Sequence, residues 1–209
     1  MTELVSFSKT LNATEAGMTN TNDSYVLIPQ RFDASVLYPK QGIYMHRDLI
    51  SGESYSLRFE ITKTNEQRLY KLGVYCRENN VQCGDVIQLE RHISEDKSTY
   101  FINANRKHNI ILLQKHKDGY LIIRNDLHRS LEQSLFSLSI FGKEYRVMIR
   151  FDKNIKKRAD SPDSLPLYEV LLDGQKDINE VLKSPYIEIN LLDKVARAPQ
   201  DVKLTTKKQ

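Results

Sequence analysis

Tyr55-Ser56-Leu57-Arg58-Phe59-Glu60-Ile61-Thr62, followed by Lys63-Thr64-Asn65-Glu66-Gln67-Arg68 and then Leu69-Tyr70-Lys71-Leu72, is the stretch on which the fold turns. Tyr55, Leu57, Phe59 and Ile61 alternate with Ser56, Arg58, Glu60 and Thr62, the period-two pattern of a strand with one buried face. From Lys63 to Arg68 there is no apolar residue, and the apolar pattern resumes at Leu69. The sequence therefore predicts strand, polar arm, strand. The same layout opens the chain. Leu4 to Phe7 and Tyr25 to Ile28 read as strands, and between them runs a polar segment, Lys9-Thr-Leu-Asn-Ala-Thr-Glu-Ala-Gly-Met-Thr-Asn20, that is longer than a hairpin needs. Lys, Thr, Asn and Glu side chains suit base edges and phosphates, so this segment reads either as a reaching arm or as a plain surface loop.

Outward from these two arms the chain is a series of short strands. Pro29 ends one strand, and residues 30–39 read as a short helix with Phe32, Val36 and Leu37 on one face and Pro39 as its stop. Tyr75 to Asn79 reads as a second short helix, Cys83-Gly84-Asp85 as a turn, and Val86 to Leu89 and Thr99 to Ala104 as further strands. Such spacing predicts a mostly β (α+β) fold, a barrel or sandwich and not a parallel sheet with crossover helices. Past Lys107, Ile110 to Leu113 with Tyr120 to Ile123, and Leu135 to Phe141 with Tyr145 to Phe151, read as two hairpins. A strand at Leu167 to Leu172, a helix at Ile178 to Lys183 and a strand at Tyr186 to Leu191 complete a small mixed α+β unit. The expected division is 1–107, 108–197 and a Lys-rich flexible tail or linker, 198–209.

Composition narrows the classes of function. With 209 residues, 40% hydrophobic and 28% charged, the chain can bury one or two cores, and its net charge of +4 permits a polyanionic partner without requiring one. Its cysteines, Cys76 and Cys83, have no zinc-site spacing, and two cysteines fit a reducing, cytoplasmic setting. No signal-like N-terminus and no apolar run long enough for a bilayer occur, so no membrane partner is expected. Asn12-Ala-Thr and Asn22-Asp-Ser match glycosylation acceptors by pattern alone.

Three patches carry a resemblance: Lys9-x-Leu11-x-Ala13-x-Glu15-x-Gly17-x-Thr19, then Tyr25-x-x-Ile28-Pro29 with Leu37-Tyr38-Pro39, and Asn65-Glu66-Gln67-Arg68. From about Phe7 to Ala104 the chain resembles the B3-type DNA-binding pseudobarrel, found in plant transcription factors and as the specificity domain of several restriction endonucleases. The likeness is nearest to the N-terminal effector-DNA-binding domain of such an endonuclease. The resemblance implies a seven-stranded open pseudobarrel with two short helices. It also implies a wrench-like grip on double-stranded DNA by two loop arms in the major groove. By position the N-arm residues are Lys9, Thr10, Asn12, Thr14, Glu15, Thr19 and Asn20. Those of the C-arm are Lys63, Thr64, Asn65, Glu66, Gln67, Arg68, Tyr70 and Lys71. Arg68 can donate twice to guanine O6 and N7, and Asn12, Asn65 or Gln67 can pair with adenine. Glu15 and Glu66 would accept from cytosine N4 or orient a neighbouring cation. Tyr70 would pack on its arm or reach a phosphate. Thr64 and Gln67 stand where the restriction-enzyme relative has cations, which implies a different target and a weaker hold on the backbone.

Further cations, Arg31, Arg47, Lys153, Lys156, Lys157 and Arg158, are candidate phosphate contacts, or else parts of solvated loops. Catalytic signals are poor. Pro162-Asp163 followed by Glu169-Val170-Leu171 approximates a Mg²⁺ nuclease pattern, but Leu171 stands where its Lys belongs. His116-Lys117 lacks the His-x-Lys spacing of another nuclease class, and His46, His92, His108 and His128 stand singly. No cofactor is expected. The first expectation is a recognition module of a restriction-modification system whose nuclease or ATPase activity lies in another segment or subunit. A self-contained Mg²⁺-dependent restriction nuclease is the second reading, and a plant-type transcription factor the third.

Overall fold

The computed structural model describes residues 2–17, 23–95, 97–127, 134–156, 164–199 and 202–208, the last of these in backbone only. The chain forms two units, residues 1–107 with 200–209, and residues 108–199.

The first unit is built on β1 (Thr2–Thr10), β2 (Val26–Ile28), β3 (Gly42–Asp48), β4 (Ser54–Ile61), β5 (Gln67–Tyr70), β6 (Val86–Ser94) and β7 (Lys97–Asn105). A 3-10 turn, Ala34–Val36, and the helix α1, Gly73–Glu78, complete it. An eighth strand comes from the far end of the chain: β16, Val202–Lys208, lies antiparallel along β1, with Val5 opposite Thr206. The sheet order is β16-β1-β6-β7-β3-β4-β5-β2. The segment expected to be a flexible tail is therefore an edge strand of this sheet, and only one of the two expected short helices is an α-helix. Residues 30–39 carry Phe32 and Leu37 to the core through a single 3-10 turn, capped by the Asp33 side chain, which accepts from Ser35 N.

The β4 alternation lands as its pattern requires: Tyr55, Leu57 and Phe59 are buried against Phe7, Leu11, Val26, Ile28, Leu69, Ile87 and Leu89, while Ser56 and Arg58 face water. Ile61, last in that pattern, is 42% exposed, because the inward run ends where the arm begins. Several polar side chains are buried in this unit, His46 the deepest of those described. His46 is fully buried, its Nδ1 3.2 Å from the carbonyl of Tyr44 and its Nε2 3.0 Å from the Tyr38 hydroxyl. A carbonyl only accepts, so Nδ1 carries the proton and Tyr38 donates to Nε2. Burial lowers the imidazole pKa to about 4.

The second unit is a barrel. Its strands are β8 (Ile110–His116), β9 (Gly119–Asn125), β10 (Ser134–Ile140), β11 (Lys143–Lys156), β12 (Ser164–Leu172), β13 (Lys176–Asp177), β14 (Tyr186–Asn190) and β15 (Val195–Arg197). The order β11-β10-β15-β14-β8-β9-β12 closes on itself through the β11–β12 ladder, and β13 adds to β12. Ile111, Leu113, Leu138, Val147, Ile149, Val170, Ile187 and Ile189 fill the interior. This unit is not the α+β arrangement expected. The predicted helix at 178–183 is a 3-10 turn, Ile178–Glu180, with a capping box between Asp177 and Glu180. Buried Ile178 and Leu182, four residues apart, imitate a helical face. No helix among the described residues is long and apolar enough to cross a membrane.

Candidate nucleic-acid interface

Both arms are rooted on the β2–β5 pair. The strands are antiparallel, with Val26 opposite Leu69 and Ile28 opposite Gln67, so the first arm enters β2 at the end where β5 finishes. There Asp23 accepts from Lys71 N at 2.9 Å and Ser24 O accepts from Leu72 N at 3.1 Å. The second arm, residues 62–66, stands at the opposite end, where Gln30 Nε2 donates to Asn65 O at 2.8 Å. Three residue steps along β5 separate the two roots by about 10 Å.

The second arm is a five-residue turn, held by Thr62 N donating to Glu66 O (2.9 Å) and Glu66 N donating to Thr62 Oγ1 (3.1 Å). Asn65 sits at φ 62°, a left-handed position that Asn tolerates better than most residues. Lys63, Thr64 and Asn65 are exposed at the tip. Below them Tyr25, just ahead of β2, and Arg58, Arg68 and Tyr70 on the outward face of β4 and β5 form one layer. The Arg68 guanidinium lies 4.6 Å from the Tyr25 ring centre and Arg58 lies 5.5 Å from that of Tyr70, with the two rings 6.0 Å apart. Glu66 Oε2 accepts from Arg68 Nη2 at 2.6 Å and Glu60 pairs with Arg58 at 3.3 Å. Arg68 Nε is buried without a partner. Stacking and the carboxylate thus fix the direction of a planar, permanently charged donor.

Other expected contacts are built into the body. Lys9 and Glu15 are 8% and 1% exposed and form a buried ion pair. Glu15 Oε1 also accepts from Leu27 N (2.8 Å), and Lys9 Nζ donates to Leu27 O (2.9 Å). These two side chains supply the hydrogen bonds that a neighbouring strand would give to the outer edge of β2, closing the gap between β2 and β1. They are seam residues and not base readers, because a buried, paired charge has nothing left to offer a groove. Thr10 is likewise 8% exposed. The Asn12 side chain is spent on a turn, its Oδ1 accepting from Glu15 N (2.9 Å) while Glu15 Oε2 accepts from Asn12 N (3.2 Å). Asn12 and Glu15 thus close a turn by reciprocal side-chain-to-backbone bonds. Thr14 is half-buried, and Thr19 and Asn20 lie outside the described residues.

Gln67 also turns inward: its Nε2 donates to Phe32 O (3.0 Å) and its Oε1 accepts from Ala34 N (3.1 Å), fastening the 3-10 turn to β5. Lys71 is exposed at the root of the first arm. Arg31 is exposed over the Phe32 ring, beside an open hollow of about 400 Å³ at the root of the second arm. Arg47 Nε donates to Gly52 O (3.2 Å) and closes its own hairpin. Lys153 and Lys156 are exposed on β11, whereas Lys157, Arg158 and Asp163 lie outside the described residues. Glu169 is held by Arg150. Tyr25 and Arg58 are the layer residues that sequence reasoning missed. The signal available was parity: Arg58 and Arg68 both lie on the polar side of an alternating strand.

No family model matches the chain, and no curated protein matches it. Among solved structures it is similar to an Arabidopsis FUS3–DNA complex, with 15% identity over 47% of this chain and 94% of that one and a TM-score of 0.38. The B3 domain of the UbaLAI restriction endonuclease with cognate DNA gives 15% identity over 49% of this chain and 67% of that one, at a TM-score of 0.36. The Arabidopsis thaliana transcription factor LEC2–DNA complex gives 23% identity over 49% and 94%, at 0.38. Over about half of its length this chain is similar in structure to a restriction-endonuclease B3 domain and to two plant proteins solved on DNA.

Proposed function

We propose that the first unit binds double-stranded DNA sequence-specifically, with its two arms in the major groove and the Tyr25, Arg58, Arg68 and Tyr70 layer facing the duplex between them. The observation that carries this reading is the placement of the arms. They rise from opposite ends of a four-residue strand, about 10 Å apart at their roots, which suits a groove about 12 Å wide. Base reading falls to Arg68 and to the exposed tip residues Thr64 and Asn65, and phosphate contact to Lys63, Lys71 and Arg31.

The role that fits the sequence resemblance is target recognition in a restriction system, with nuclease or ATPase activity supplied by another segment or subunit. The chain binds and does not cut. Selecting bound duplexes from a random pool tests this. One enriched sequence should emerge, and it should stay intact with Mg²⁺. Arg68→Ala should weaken that duplex by about 1–3 kcal/mol and relax one base pair. An equal loss on random duplex would reduce Arg68 to a backbone contact, and cleavage at the selected site would overturn the binding-only reading.

A further inference from the structure

In the second unit β11 and β12 pair with each other past the described ends of their other neighbours. Among the described residues β10 pairs with β11 as far as Ile149, and β9 meets β12 at Tyr168. Beyond those positions, among the described residues, Lys153–Lys156 and Ser164–Leu167 pair with each other, after an irregularity between Phe151 and Lys153 that redirects the strand. The ribbon is anchored by Leu167, which is fully buried, and by the half-buried pair Ile155 and Leu165. Its remaining side chains, Lys153, Asn154, Lys156, Ser164 and Pro166, are exposed. Two strands with water on most of their surface are marginal alone. A projecting ribbon with cations on it is a shape that duplex DNA accepts.

We propose that this ribbon is a second DNA-contacting element, placing Lys153 and Lys156 on phosphates of duplex DNA. The proposal rests on the DNA-binding reading of the first unit. The Lys153 side chain is 52% exposed and forms solvent-exposed ion pairs with Asp118 and Asp152, both at 3.9 Å, which a phosphate can replace. Contacts of this kind carry no sequence information and add hold.

Lys and Pro on a bare strand edge also guard against pairing between copies, and one experiment separates the two roles. The salt dependence of binding is measured for the full chain and for Lys153→Gln/Lys156→Gln, on selected and on random duplex. Loss of two phosphate contacts should make the log–log slope shallower by about 1.8 on both duplexes, at about 0.9 per contact, and leave the ratio of the two affinities unchanged. A control pair, Lys176→Gln/Lys183→Gln, exposed elsewhere on the same unit, should leave the slope alone. An unchanged slope in the ribbon variant, with or without self-association, or an equal change in the control, overturns the proposal while the arm reading stands. If the unaltered chain binds neither duplex, it is the arm reading that fails.

Discussion

Glu15→Gln is the substitution that most sharply separates a seam from a binding surface. The change keeps the size of the side chain and removes its charge. In the folded chain the Glu15 carboxylate accepts from Lys9 Nζ and Leu27 N through Oε1 and from Asn12 N through Oε2. An amide can keep its oxygen toward Lys9 and Leu27, but its NH₂ then faces the Asn12 N–H, donor against donor. The Lys9 ammonium, 8% exposed, is left without a counter-charge. Breaking a buried pair from one side costs about 3–5 kcal/mol, and the surviving bonds to Leu27 O and the amide oxygen put this case at the lower end. Lys9→Met strands a carboxylate that still takes two backbone N–H bonds, at a cost of about 2–3 kcal/mol. The double variant leaves no unpaired charge, so its loss should fall short of the sum by up to about 3 kcal/mol. The chain has no Trp, so peptide-resolved hydrogen exchange in rising urea is the suitable assay, with the second unit as internal reference. Destabilisation should be confined to the first unit. A loss below about 1 kcal/mol in Lys9→Met, accompanied by weakened DNA binding, would refute the assignment and return Lys9 to the groove.

Two further outcomes follow from buried polar groups. His46 is neutral when folded, with a pKa lowered to about 4 from 6.5, so the unfolded chain binds the proton first; stability is intact above pH 6.5 and falls as pH drops toward 4, by about 2 kcal/mol at pH 5 and about 3 kcal/mol at most. An imidazole resonance of His46 titrating near 6.5 in the native protein would contradict this. Gln67→Ala removes two bonds to the 3-10 turn and should cost about 1–3 kcal/mol of first-unit stability with base preference unchanged; a changed preference in a selection experiment would show that Gln67 reads DNA after all.

Strands with clean alternation were legible. The Tyr55 to Phe59 run and the two hairpins after Lys107 sit where their patterns put them, with ends that extend by a few residues through backbone pairing alone. β3 was hidden because its inward face is Tyr44, His46 and Asp48, side chains that read as polar until Tyr38, Tyr44 O and Tyr75 are seen to partner them. β16 was hidden because an edge strand owes its order to the β1 backbone and not to an apolar face of its own. At the candidate interface the sequence could not tell which polar residues are spent inside the body. Lys9, Glu15, Asn12 and Gln67 have the chemistry of base readers and are consumed by Leu27, by each other and by the 3-10 turn. Such spending depends on which backbone edges lack a neighbour, and that is a property of the closed sheet.

Because β16 completes the first sheet from residues 202–208, the two halves of this protein cannot mature in the order in which they are translated. From Thr10 to Val202 a ribosome adding about 5–20 residues per second needs about 10–40 s, and throughout that time the outer edge of β1 has no partner. The barrel can close on the nascent chain before the sheet that bears the arms is whole. A newly made molecule therefore gains its full first unit only once residues 202–208 have emerged, and any chaperone that shields an open strand edge has its natural client in that interval.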